Sequence, residues 1–87
     1  MFYVYLIQSE VDSSSYIGYT SNLELRIKQH NNGESIYSRR KKPWKLVYSE
    51  EFENKTFALK RERFLKKQKN KDFYYQLIKS LDRQLVG

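Results

Sequence analysis

The chain has 87 residues, 17 of them Lys or Arg and 10 Asp or Glu, for a net charge of +7. With no cysteine, disulfide staples and cysteine–zinc sites are excluded, and the length suits one small domain whose core draws on eight tyrosines, five phenylalanines and one tryptophan. The basic excess points to a polyanionic partner. No run approaches the ~20 apolar residues of a membrane span, and the chain opens directly into a strand-like segment, so a soluble cytoplasmic protein with no membrane association is expected.

In chain order, Phe2 to Gln8 and Ser15 to Tyr19 are rich in aromatic and branched residues and read as two strands, joined by the polar turn Glu10-Val11-Asp12-Ser13-Ser14. Alternate strand residues share a face, so Tyr3 and Tyr5 project together, as do Tyr16 and Gly18 on the partner strand. Ser21 followed by Glu24 predicts a capping box and a helix from about Asn22. At about 100° per residue, Leu23, Arg26, Ile27 and His30 fall within an arc of roughly 100°, so the guanidinium and imidazole border the apolar stripe. Asn31-Asn32-Gly33 ends the helix.

Residues 33–42 carry the run Arg39-Arg40-Lys41-Lys42 and have no clean period; a mobile basic loop with a short helical turn is expected. Pro43 to Phe52 alternates as a third strand, with Trp44, Leu46, Tyr48 and Phe52 on one side. A second helix runs from Lys55 to Lys69, capped by Asn54, with Phe57, Ala58, Arg61, Phe64 and Leu65 at helical spacing and Glu62 at the rim of that face. A second basic run, on this helix and just beyond it, comprises Lys60, Arg61, Arg63, Lys66, Lys67, Lys69 and Lys71. A third helix capped by Asp72 presents Tyr74, Leu77, Ile78, Leu81 and Leu85. The expected architecture is an α/β (α+β) domain over residues 1–82, a small three-stranded antiparallel sheet flanked by helices in the order β-β-α-(α)-β-α-α, with 83–87 as a C-terminal tail.

These residues carry a resemblance to the GIY-YIG nuclease superfamily, in particular to its small single-domain members, which are similar to the N-terminal nuclease domain of the excinuclease. One tripeptide is intact as Tyr16-Ile17-Gly18; the other appears as Tyr3-Val4-Tyr5, keeping the terminal tyrosine and replacing the leading glycine. The family's arginine and histidine match Arg26 and His30, and its metal-binding glutamate matches Glu62. The resemblance implies a proton acceptor drawn from Tyr5, Tyr16 and His30, a structural role for Gly18, and one divalent cation, Mg2+ or Mn2+, on Glu62.

The implied reaction is phosphodiester hydrolysis. A carboxylate-held cation would polarise the phosphate, and the planar fork of Arg26 suits phosphate oxygens bidentately. Arg39, Arg40, Lys41, Lys42, Lys60, Arg63, Lys66 and Lys67 are candidates for nucleic-acid contact, DNA more than RNA. A targeting protein is a candidate further partner, and a monomer or weak dimer is expected. The alternative is a non-catalytic nucleic-acid-binding module on the same scaffold, in which an aromatic sheet stacks bases without metal.

Overall fold

The computed structural model describes the backbone of residues 1–68 and 70–86 and the side chains of 1–68 and 70–80. Strands β1 (Phe2–Ser9) and β2 (Ser15–Thr20) form the hairpin, followed by helix α1 (Leu23–Asn31), a short 3-10 turn at Arg39–Lys41, strand β3 (Trp44–Phe52), and helices α2 (Lys55–Gln68) and α3 (Lys71–Val86). The sheet is antiparallel in the order β2-β1-β3. The three-stranded antiparallel sheet flanked by helices, in the expected order β-β-α-β-α-α, is the observed one.

β1 is central, which explains its nearly continuous apolar run: Val4 and Leu6 face one side, Tyr5 and Ile7 the other, and all four are buried. Val4, Leu6 and Ile17 pack with Ala58 and Leu65 of α2, joined by Phe73, Tyr74, Leu77 and Ile78 of α3. On the opposite face Tyr5, Ile7 and Trp44 pack with Tyr16 and with Leu23 and Ile27 of α1. The sheet is thus sandwiched, with α1 on one side and α2 and α3 on the other.

Several local expectations are corrected. The cap of α1 is Asn22, not Ser21. The Thr20 hydroxyl turns the chain by accepting from Asn22 N–H (3.1 Å), and Asn22 Oδ1 then accepts from Leu25 N–H (3.1 Å). Glu24 pairs with Lys28 (3.6 Å) instead of reaching back. For α3, Asn70 Oδ1 accepts from Asp72 N–H (2.9 Å), so Asn70 takes the capping role assigned to Asp72. Asn54 caps α2 as expected, accepting from Thr56 N–H (2.7 Å).

The single-sided reading of β3 fails because the register shifts between Leu6 and Ile7: Tyr48 opposes Leu6, whereas Leu46 opposes Ile7. This bulge inserts a residue at Val47 and flips the alternation. Trp44 therefore packs on the α1 side, and Tyr48 and Phe52 on the α2 side. In α2, Phe57 is 59% exposed, and the inward face is centred on Ala58 and Leu65. Lys69, Gly87 and the side chains of 81–86, Leu81 and Leu85 among them, lie outside the described residues; the backbone of 83–86, expected as a tail, belongs to α3.

Candidate active site

The α1 face of the sheet gathers four of the five candidate chemical groups. Tyr5 lies across Gly18, its partner in the β1–β2 register. A Cβ built at Gly18 would overlap the Tyr5 hydroxyl and ring carbon Cζ, so only glycine leaves the ring its place. The glycine thus admits a side chain at the middle of the hairpin.

Tyr5 Oη lies 2.8 Å from His30 Nε2 and accepts from Arg26 Nε–H at 3.4 Å. His30 is fully buried at the end of α1, and its Nδ1 lies 2.6 Å from Ser38 Oγ. Which way each proton points follows from the imidazole tautomer. Of the two groups bonded to Oη only the imidazole can accept, because a guanidinium has no acceptor; in the tautomer that gives the Tyr5 proton a partner, Tyr5 donates to Nε2 and the ring proton on Nδ1 is donated to Ser38. The Tyr16 ring stands edge-on to His30, with centroids 5.0 Å apart, and Tyr16 is half-buried.

Burial is the main cause that lifts the Tyr5 hydroxyl above its ordinary value of 10.0; the Arg26 hydrogen bond and charge oppose the rise, and Tyr16 and Glu62 add to it. Burial, then the Arg26 charge, push His30 below its ordinary 6.5. At neutral pH the pair is therefore a neutral phenol hydrogen-bonded to a neutral imidazole. Arg26 is shifted up, chiefly by its hydrogen bond to Tyr5.

Glu62 comes from the other side of the sheet. Ala58 and Leu65 set the inward direction of α2, and at 100° per residue Glu62 lies about 50° from it. Its side chain is 17% exposed and pairs with Lys66 Nζ at 3.6 Å. α2 packs on β1 and β2, the strands that carry Tyr5, Tyr16 and Gly18. Among the described residues no three His, Cys, Asp or Glu groups cluster as a metal cage. One rim carboxylate fits a magnesium-type ion, which keeps most of its waters and takes few protein ligands.

Sequence reasoning missed Ser38, Trp44 and Asn31. Ser38 is fully buried, and its carbonyl accepts from Trp44 Nε1–H at 2.9 Å. The Asn31 side chain pairs with the Trp44 backbone, accepting from its N–H (2.5 Å) and donating to its carbonyl (3.0 Å). Ser9 Oγ donates to the Lys41 carbonyl (2.6 Å). The loop expected to be mobile is thus fastened at its middle and end. A serine in a basic run carries no periodic signal; only the tertiary position of His30 reveals it.

The basic residues divide. Arg39, Arg40 and Lys42 are exposed and make no ion pair among the described residues, whereas Lys41 pairs with Asp12 (3.2 Å) and donates to Ser14 Oγ (2.9 Å). Lys60, Arg63 and Lys67 are exposed on α2 without an ion pair among the described residues, and Lys66 holds Glu62. Arg61, counted in the second basic run, instead clamps Glu50 with two bonds of 2.9 Å.

A hairpin whose tyrosine meets an arginine and a histidine from the following helix, with a glutamate supplied by the next, is the arrangement expected of a GIY-YIG nuclease domain. The profile of the GIY-YIG catalytic domain matches residues 1–76, and the chain belongs to that family, a nuclease superfamily. More particularly, it is similar to UPF0213 proteins. One from Clostridium perfringens is 53% identical over 68 residues, covering 77% of this chain and 72% of the relative. One from Bacillus licheniformis is 42% identical over 77 residues, covering 85% and 78%. The solution NMR structure of a UPF0213 protein from Bacillus halodurans, 33% identical, aligns with a TM-score of 0.57 over 91% of this chain and 84% of that one.

Proposed function

We propose that the chain is a metal-dependent endonuclease that hydrolyses phosphodiester bonds in nucleic acid, structure-directed DNA above all. The observation that carries this reading is the bonded series from Arg26 through Tyr5 and His30 to Ser38, a proton path whose acceptor is neutral at neutral pH.

Arg26 binds the phosphate. Its 3.4 Å bond to Tyr5 is long, and turning its fork toward phosphate oxygens exchanges a weak neutral acceptor for charged ones. That turn also uncovers the Tyr5 hydroxyl. As water attacks phosphorus its proton passes to Tyr5 Oη, while the Tyr5 proton passes to His30 Nε2, so no free phenolate has to form against a raised pKa. The imidazolium produced keeps its Nδ1–H on Ser38. A divalent cation, Mg2+ or Mn2+ on Glu62, would supply Lewis-acid stabilisation of the charge that builds on the phosphoryl and leaving oxygens. Tyr16, half-buried beside His30, lines the approach. Arg39, Arg40, Lys41, Lys42, Lys60, Arg63 and Lys67 would hold the strand's backbone, and the cysteine-free chain suits a reducing cytoplasmic setting.

The direct test incubates the protein with branched, nicked and single-stranded DNA and Mg2+ or Mn2+. Cleavage is expected, with loss in Tyr5→Phe and Glu62→Ala. No product from any substrate, or equal cleavage by Glu62→Ala, overturns the reading. The Lys66 contact on Glu62 is the feature that favours the alternative, a non-catalytic binding module; metal-independent binding without products would establish it.

A further inference from the structure

The two most exposed large hydrophobic side chains among the described residues are neighbours: Tyr37 at 88% and Ile36 at 74%. They stand on the segment between α1 and β3, immediately before Ser38. Burying Tyr37 would remove far more apolar area from water than an ordinary surface residue exposes, yet the fold leaves it out.

The segment beneath it is fixed. Ser38 is fully buried between His30 and Trp44, and Ser38 N–H and Arg39 N–H both bond to the Ser35 carbonyl, at 3.3 and 3.1 Å. Arg39 and Arg40 follow at once, exposed and outside any ion pair among the described residues. An aromatic ring is thus presented to solvent on a pinned backbone, one residue from the serine that contacts the His30 imidazole and beside two exposed guanidinium groups. Pre-ordering lowers the entropy lost when such a ring is covered.

We propose that Tyr37 is a stacking platform for an unpaired nucleobase, with Arg39 and Arg40 neutralising the phosphates of the same strand. This rests on the reading of the chain as acting on nucleic acid, and adds to it the part of the substrate that is gripped: a base splayed from a nick, branch or single strand. A base has a π-face whatever its identity, so the grip is sequence-tolerant and sits where the strand enters the hydrolytic site. A protein side chain would satisfy the ring equally well, but two adjacent exposed arginines favour a polyanion.

The test uses the full chain in EDTA, so that no strand is cut, with a single-stranded oligonucleotide carrying one 2-aminopurine, made as DNA and as RNA. Stacking quenches 2-aminopurine fluorescence. The wild-type protein should bind and quench; Tyr37→Ala should bind about tenfold more weakly with the quench lost, whereas Tyr37→Phe keeps both. Quenching of either strand supports the platform, and the strand that shows it identifies the polymer. Tyr37→Ala with affinity and quench unchanged overturns it, as does a wild-type chain that binds neither strand. The two readings separate cleanly. Cleavage in Mg2+ that ignores Tyr37, with no Tyr37-dependent quench, sinks the platform alone; Tyr37-dependent quenching by a chain that cuts nothing retains the platform and sinks hydrolysis.

Discussion

Replacing Ser38 by alanine deletes one oxygen atom, and the structure states what that atom does. Ser38 Oγ lies 2.6 Å from His30 Nδ1, inside a site where both residues are fully buried, and accepts its proton in the tautomer that lets Tyr5 donate to Nε2. Without it a buried imidazole N–H has no partner, a penalty of about 1–3 kcal/mol. For a domain of this size each kcal/mol lowers the melting temperature by roughly 4–8 °C, so a loss of about 2 kcal/mol means a fall of roughly 8–16 °C. The chemical consequence is separate. Once Nδ1 no longer gains from its proton, the imidazole can carry it on Nε2, and Tyr5 then faces a donor. If the lock is worth about 1.4 kcal/mol, the competent tautomer becomes about tenfold rarer and cleavage falls about tenfold. Ser38→Thr keeps the hydroxyl and should restore both. The assays are thermal melting, nitrogen-15 chemical shifts of the single histidine, and single-turnover cleavage under conditions where the variant is folded. A Ser38→Ala protein that melts within a degree of the parent and keeps Nε2 unprotonated would refute the reasoning.

Gly18→Ala should displace the Tyr5 ring, because its Cβ overlaps the Tyr5 hydroxyl, and should cost both cleavage and the Tyr5–His30 contact, read as a shift in the histidine nitrogen resonances. Cleavage should rise with pH through a midpoint below 6.5, the ordinary value from which burial and the Arg26 charge depress His30, and should level off by neutrality; His30→Gln should remove that limb from whatever rate remains. Stability follows the same sign. A depressed folded-state pKa means the contribution is intact above 6.5 and is lost as pH falls through the folded value, so melting temperature should drop from pH 7 to 5 more steeply in the parent than in His30→Gln. Arg26→Lys should leave the fold intact and lower cleavage at least tenfold, since a point charge lacks the bidentate fork. Glu50→Gln weakens the Arg61 clamp that ties β3 to α2, and should lower the melting temperature while cleavage below it is unaffected.

The elements that bring the candidate site residues together were legible in the sequence because each announces itself locally. Tyr5 and Gly18 follow from strand alternation and a short turn, and Arg26 and His30 share one helical arc. What the sequence did not show is set by tertiary contacts or by one-residue ambiguities. Asn22 and Ser21 are both good caps, and the Thr20 hydroxyl decides between them. The bulge at Val47 is invisible in a strand that alternates well enough, yet it sends Trp44 and Tyr48 to opposite faces. Phe57 looks like core by hydropathy, whereas the small Ala58 is what fits against Val4 and Leu6. That rotation brings Glu62 further inward than the phenylalanines suggested. Ser38 gave no signal at all, since its role exists only once His30 has been carried to it.

Hydrolysis at this site requires Glu62 to meet the Tyr5, His30 and Arg26 group at one place, and titration with Mn2+ followed by NMR tests that most directly. Paramagnetic broadening should begin at Glu62 and reach the Tyr5, Tyr16, Arg26 and His30 side chains, and should vanish in Glu62→Ala. Broadening centred elsewhere, at Asp72 or Glu51 for example, or unchanged in Glu62→Ala, would contradict it.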